Sequence, residues 1–457
     1  MIKKIKDYLT LQAISKIIPV LPRLSNKQLI SLTYMLKRLL KKPDAFTENV
    51  LSSFRNYFEN NHPSVELIRR GFKQLNPLVR KRFTDAFLIN GVFKSLNKNK
   101  EFEKKYGFIP PWLIVLSATM RCNLNCVGCS TRKYTKGDDL PIGVINRILK
   151  EAKEMGIYFI VTQGGEMFVY QEMLEVYKKH KDMFFQVYTN GTLIDRKMAR
   201  RLAKIGNVAP MISLEGFEQE TDQRRGKGVF KKVMQAMDNL KEAGVLFGAS
   251  ITQTSKNTDV IASTEFVDML ISKGCLVVWF FQFLPVGKDP DINLMASPKQ
   301  RLELKRRIQK IRTTRPIFIG DFWNDGPHVG GCIAGGKHYF HINNHGDIEP
   351  CAFTHFAVDN IKNKTLIEAL NSDFFKFMRK NQPFGNGNLL TPCMIIDNPE
   401  ILRQAVKNYG ARPTHEGAEV ILQGEVKEAL DKYSQELHKI FDPEWEKIKD
   451  TIIEWPR

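Results

Sequence analysis

Three of the chain's seven cysteines fall within eight residues, as Cys122-x3-Cys126-x2-Cys129. Three thiolates at that spacing can hold three irons of a cubane [4Fe–4S] cluster and leave the fourth iron without a protein ligand. An open iron separates a reactive centre from a structural one. A zinc knuckle is the competing chemistry, but structural zinc closes with four ligands. No fourth Cys or His lies near the triplet in sequence. The remaining cysteines are Cys275, Cys332, Cys351 and Cys393. An odd number in a chain this long, without an export signal, argues for metal binding over a disulfide framework. Cys275 opens an apolar stretch and reads as a small buried residue.

Such a triplet needs a rigid element to present it. The run Trp112–Met120 is apolar without alternation and reads as a buried strand that ends at Arg121. Beyond it the pattern alternates. Strands are expected at 113–119, 157–162, 184–188, 209–214, 246–251 and 276–283. Helices are expected at 141–154, 170–180, 195–205, 229–243 and 258–273. Six strands separated by five helices describe βαβ units, a parallel sheet and right-handed crossovers. The expected fold class is α/β: a partial (β/α)6 parallel barrel core, a helical N-terminal region and a small α+β C-terminal cluster-binding domain. In barrels of this kind chemistry gathers at the C-terminal ends of the strands, which is where the triplet falls.

The triplet is similar to the signature of the radical S-adenosylmethionine superfamily, and the resemblance extends over about residues 109–290. It implies that S-adenosylmethionine chelates the open iron through its amino and carboxylate groups. One-electron reduction then releases methionine and a 5′-deoxyadenosyl radical. Gln163-Gly164-Gly165-Glu166 resembles the family's Gly-Gly-Glu motif, which cradles the methionine amino group, with Met167 where Pro is usual. Glycines let backbone approach closely, and a carboxylate accepts from an ammonium. Tyr188–Thr192, with Asn190, resembles a segment that lines the site. Ser213-Leu214-Glu215-Gly216 resembles Ser-x-Asp-Gly with Glu in place of Asp. Arg224-Arg225-Gly226 resembles an Arg-Gly whose arginine reaches the cofactor carboxylate, and Arg225 is favoured for that part. Ser250 ends the fifth strand. Gln282–Val286, with Pro285, resembles the adenine-facing segment. The resemblance also implies an electron donor such as flavodoxin or ferredoxin.

The stretch Gly331–Cys351 resembles the start of a SPASM or Twitch domain, which binds an auxiliary [4Fe–4S] cluster. Cys332, Cys351 and Cys393 would be its ligands. His328, His338, His341, His345, His355, His415 and Asp397 lie close enough in sequence to be considered for a fourth. The alternative is three unrelated buried cysteines.

The organisation expected is a basic helical region at 1–108, the barrel at 109–320, the auxiliary-cluster domain at 321–400 and a helical tail at 401–457. Of the formal charge of +20, fourteen units fall in the first 100 residues. A basic amphipathic face of this kind is a solvated cap or meets anionic lipid, and no nucleic-acid partner is expected. No stretch reaches the apolar length of a membrane span, so the expectation is a cytoplasmic protein with optional peripheral contact on the inner membrane face. The substrate is open: a lipid-like molecule first, a peptide second. A non-enzymatic iron–sulfur redox role is the third reading.

Overall fold

The structure is a computed structural model that describes residues 20–39, 45–131, 137, 139–287 and 290–452. The first residues of the charged N-terminal segment, 1–19, lie outside it. Strand β1 (Leu113–Thr119) is buried along nearly its whole length, as a largely apolar interior strand of a parallel sheet should be. β2 (Phe159–Gly164), β3 (Phe184–Thr189), β4 (Val208–Leu214), β5 (Gly248–Gln253), β6 (Val277–Gln282) and β7 (Phe318–Asp321) follow in sequence and in space. Each pairs in parallel with the one before.

The sheet is rolled. Trp279 Nε1 on β6 donates to Gln186 Oε1 on β3 at 3.2 Å. In a flat sheet those strands would stand three spacings apart, ~14 Å. The Tyr188 and Phe281 rings meet across the same hollow, 5.7 Å apart. Gly320 on β7 makes room there, since a Cβ would sit 2.3 Å from the Trp279 ring.

Helices cover the outer face. Arg196–Ile205 shows how one is specified. Asp195 accepts from Met198 N at its start, Gly206 ends it at φ +83°, and Met198, Ala199, Leu202 and Ile205 are buried at helical spacing. Burying each large apolar side chain contributes about 1.5–3 kcal/mol.

The six expected strands are present with ends shifted by a few residues. β7 was not anticipated. Its four residues, with one exposed Phe, carry no apolar run. The expected helix at 258–273 is broken into Thr258–Ile261 and Thr264–Ser272, because Ser263 caps the second by accepting from Phe266 N. The helix Glu218–Arg225 was also unanticipated.

The N-terminal region is helical, as expected, and closes the barrel's N-terminal mouth. Phe83 and Phe87 pack their rings against Phe184 and Phe159 at 5.2–5.6 Å. Arg70 donates to the carbonyls of Ile271, Cys275 and Pro316. Among the described residues no helix is long and apolar enough to cross a membrane.

The hairpin foreseen around Asn344–Gly346 forms from β8 (Tyr339–Ile342) and β9 (Asp347–Glu349). It is not a separate sheet. β8 pairs in parallel with β1, opposite Leu113–Leu116, so the hairpin extends the barrel wall across the boundary expected at residue 321. β11 (Asp359–Asn360) borders β9, while β10 (Phe356–Ala357) pairs with β12 (Arg412–Pro413). Beyond lie helices Leu366–Leu370, Asp373–Lys380, Pro399–Tyr409 and Gly424–Glu446.

Candidate metal and cofactor centre

The loop after β1 is tied on three sides to neighbouring elements. After β3, Asn190 Nδ2 donates to Asn123 Oδ1 at 2.8 Å and lies 3.8 Å from Cys122 Sγ. Asn123 in turn donates to Thr192 Oγ1 at 2.8 Å. Toward β2, Thr131 Oγ1 lies 3.4 Å from Cys129 Sγ and donates to the Gly164 carbonyl. Beyond β4, Val127 N donates to the Arg224 carbonyl at 2.9 Å, and Arg224 Nε donates back to the Val127 carbonyl. Gly128, at φ +64°, passes so close to the Phe283 ring that a Cβ would lie 2.7 Å from it.

Cys122, Cys126 and Cys129 are all partly exposed. Burial raises the pKa of Cys122 and Cys126; Cys122 also senses Cys129, and Cys126 senses both other sulfurs. Arg225 and Arg224 pull Cys126 back toward the thiolate. Leu124 N is aimed at Cys122 Sγ from 3.5 Å. Among the described residues no three His, Cys, Asp or Glu side chains converge tightly enough for one metal ion. Neighbouring sulfurs that share electrostatics and, at Cys122, receive N–H donors suit cluster thiolates.

The glycines act first on the chain itself. A Cβ on Gly165 would sit 2.1 Å from the Arg121 carbonyl oxygen, and one on Gly164 would sit 2.3 Å from that of Thr119. The β2 turn therefore packs directly under the cysteine loop. Glu166 is fully buried. Its carboxylate accepts from Phe168 N at 3.0 Å, Thr189 Oγ1 at 2.8 Å and Asn190 N at 2.7 Å. Burial outweighs those donors and raises its pKa. This carboxylate ties the ends of β2 and β3 together, a use the sequence reading did not foresee.

Glu215 is likewise engaged by the chain. Arg225 Nε donates to Glu215 Oε1 at 2.9 Å, and Arg224 Nη1 stands 2.7 Å from Glu215 Oε2. All three side chains are largely buried. Two guanidinium groups and one carboxylate leave a net positive charge beside Cys126. Ser213 and Ser250 are register partners on β4 and β5, next to Trp279 on β6. Pro285 is buried in the loop after β6. Ser250, expected to end the fifth strand, lies in its middle because β5 runs two residues later than expected; the other sequence-expected residues lie toward or beyond the C-terminal ends of the strands. Arg224, Asn123 and Thr131 add holds on the loop that no spacing announced.

The second cysteine group is drawn from three distant segments. Cys332 senses Cys393 and Cys351, and Cys393 senses Cys351. Burial pushes the Cys332 thiol well up, Cys351 to about 11 and Cys393 to about 12. Backbone N–H groups oppose that rise at each sulfur: Ala334 at Cys332, Ala352 and Phe353 at Cys351, Ile395 and Ile396 at Cys393. Tyr339 Oη lies 3.0 Å from Cys351 Sγ. Donors converging on buried sulfurs are what cluster thiolates require.

The residues weighed for a fourth ligand are engaged elsewhere. Asp397 forms a fully buried ion pair with Arg301 at 2.6 Å, and its other oxygen accepts from Cys393 N at 2.9 Å. His341 bridges Ser117 Oγ at 2.7 Å and Glu349 Oε2 at 2.6 Å, binding the hairpin to β1. His355 and His415 meet edge to face at 4.2 Å. Burial lowers the pKa of His338 to about 4. His328 is exposed, and His345 lies at the hairpin turn.

Residues 116–253 match the model of the radical SAM superfamily, and residues 332–394 match that of an iron–sulfur cluster-binding domain, SPASM. The chain is 32% identical over 304 residues to a mycofactocin maturase, MftC, of Mycobacterium ulcerans, covering 63% of this chain and 81% of the relative. It is 26% identical over 230 residues to the Fe-coproporphyrin III synthase of Methanosarcina barkeri, covering 48% of this chain and 57% of that protein. The fold is similar to that of SuiB from Streptococcus suis, solved bound to S-adenosylmethionine, with a TM-score of 0.55 and 19% identity over 66% of this chain and 76% of that one.

Proposed function

This chain belongs to the radical S-adenosylmethionine superfamily, with its SPASM iron–sulfur domain, and from that premise we propose that Cys122, Cys126 and Cys129 hold the core cluster of an enzyme that modifies a peptide. The cluster with S-adenosylmethionine supplies one-electron cleavage of the sulfonium and, from it, a hydrogen-abstracting 5′-deoxyadenosyl group. The observation that carries the reading is the convergence on one loop of the ends of β2 and β3 and the helix Glu218–Arg225. In this reading Asn190 and Thr131 orient the loop, and the backbone at Gly164 and Gly165 faces the cofactor's methionine end. Arg224 and Arg225 favour thiolate at Cys126, and the aromatic inner wall of Tyr188, Trp279 and Phe281 keeps water from the reacting carbon. Cys332, Cys351 and Cys393 hold the auxiliary cluster. An external one-electron donor of the flavodoxin or ferredoxin kind reduces the enzyme.

The peptide substrate is supported by the similarity to a mycofactocin maturase. A lipid-surface substrate is the second reading. Its support is the exposed Tyr34 and Met35 on the helix Asn26–Leu39, which carries Lys27, Lys37 and Arg38, with exposed Phe54 and Tyr57 on Ala45–Glu59 beside it. Anaerobically reconstituted protein with dithionite should form 5′-deoxyadenosine, and its absence would refute the enzyme reading. Turnover on perdeuterated cell extracts separates the two substrates. Deuterium carried into 5′-deoxyadenosine from the peptide fraction supports the first, and from the lipid fraction the second.

A further inference from the structure

Tyr339 stands on β8 opposite Leu113 of β1, and its side chain is buried. Its ring meets Phe322 at 6.4 Å, and Phe322 meets Phe281 at 5.1 Å on the barrel's inner wall. Strand register and ring packing fix where its hydroxyl points, and that is 3.0 Å from Cys351 Sγ. A cysteine bound to iron carries no proton, so in the loaded protein the hydroxyl is the donor. Backbone N–H groups also donate to this cysteine group, and every sequence supplies those. The tyrosine hydroxyl is a donor that a side chain chooses.

We propose that Tyr339 is a positioning residue for the auxiliary cluster, whose hydroxyl donates to the Cys351 sulfur and raises that cluster's reduction potential. The inference rests on the assignment of Cys332, Cys351 and Cys393 as its ligands. The physical reason is charge. Reduction adds an electron to an already anionic cluster in buried surroundings. A donor aimed at a sulfur stabilises the more negative, reduced state. Removing it must shift the potential negative. No atom is transferred: the phenol keeps its proton in both redox states.

The test is Tyr339→Phe in the full-length, reconstituted protein, which keeps the ring and removes only the hydroxyl. EPR-monitored redox titration follows both clusters, and the core signal is recognised by its change on adding S-adenosylmethionine. The expected result is an unchanged iron content, a negative shift of the auxiliary potential and an unmoved core potential. Resonance Raman supplies an independent readout. An iron–sulfur stretch that shifts in D2O should lose that shift in the variant. Unchanged auxiliary potential at full iron content would overturn the proposal, and so would a positive shift. Loss of about four irons in the variant would make Tyr339 a ligand or a folding determinant instead. A wild-type protein that holds only about four irons would refute the ligand assignment itself.

Discussion

The two cysteine groups solve opposite problems. The triplet Cys122–Cys126–Cys129 is local and partly exposed, and its loop is tied to the ends of β2 and β3 and to the helix Glu218–Arg225, with two guanidinium groups close by. The group Cys332–Cys351–Cys393 is assembled from remote segments, and its thiols are pushed far from ionisation by burial. Its donors are backbone N–H groups and one tyrosine. The first arrangement suits a centre that must admit a cofactor and an electron. The second, whose Cys332 and Cys393 are also partly exposed, suits a centre gathered by the tertiary fold, whose metal and fold depend on one another.

The sharpest break is between substitutions that should look alike. Cys126→Ala and Cys351→Ala are each expected to remove about four of about eight irons per chain. Only Cys126→Ala should abolish 5′-deoxyadenosine formation with dithionite. Cys351→Ala should retain it in the absence of substrate. Iron counting and chromatography on the same samples check both, and equal loss of cleavage in the two variants would erase the distinction.

The next effect is on stability. Arg301 and Asp397 are both fully buried, and removing one partner of such a pair costs about 3–5 kcal/mol. Asp397→Asn should therefore destabilise strongly in chemical denaturation of the apo-protein, while also loosening Cys393 N. An iron-ligand role for Asp397 predicts the reverse: little change in the apo-protein and an altered auxiliary EPR signal.

How much of this was legible in the sequence follows the same division. The core triplet could be read because its ligands lie within one loop, and β1 to β6 because short stretches rich in apolar, β-branched and aromatic residues alternate with helical patterns. β7 was missed because four residues beside Pro316 show no period. The clamp of Arg224 and Arg225 on Glu215 is local enough to be suspected, yet sequence alone gives an arginine no reason to prefer a glutamate over a cofactor carboxylate. The insertion of β8 beside β1, and with it the approach of Tyr339 to Cys351, depends on strand register between segments more than 200 residues apart. Spacing carries no trace of such pairings.

Glu166 tests where the core site ends and its scaffold begins. Its three acceptor bonds are internal. Glu166→Gln turns one acceptor into a donor facing Phe168 N or Asn190 N, and an unsatisfied buried group costs about 1–3 kcal/mol. The variant should lose that stability before any cofactor is added, measured by thermal unfolding of the apo-protein. A role confined to the cofactor would leave apo stability unchanged and weaken only S-adenosylmethionine binding.

Cys275 provides a third environment, a buried thiol outside both groups, and the smallest effect. Burial raises its pKa from 9.0 to about 12. The folded state therefore holds this proton more tightly than the unfolded chain. Its contribution is fully present below pH 9 and declines as pH rises toward 12, by at most about 1.4 kcal/mol per unit. The stability difference between wild type and Cys275→Ala should stay constant up to about pH 9 and shrink above it, read by urea unfolding at successive pH values. In the native apo-protein at pH 8, burial keeps Cys275 protonated, so iodoacetamide should spare it and label the partly exposed core triplet first. Mass spectrometry of the alkylated protein decides the order. Labelling of Cys275 at the rate of Cys126 would mean that the helices closing the barrel's N-terminal mouth, and Arg70 at its seam, do not exclude water as their contacts require.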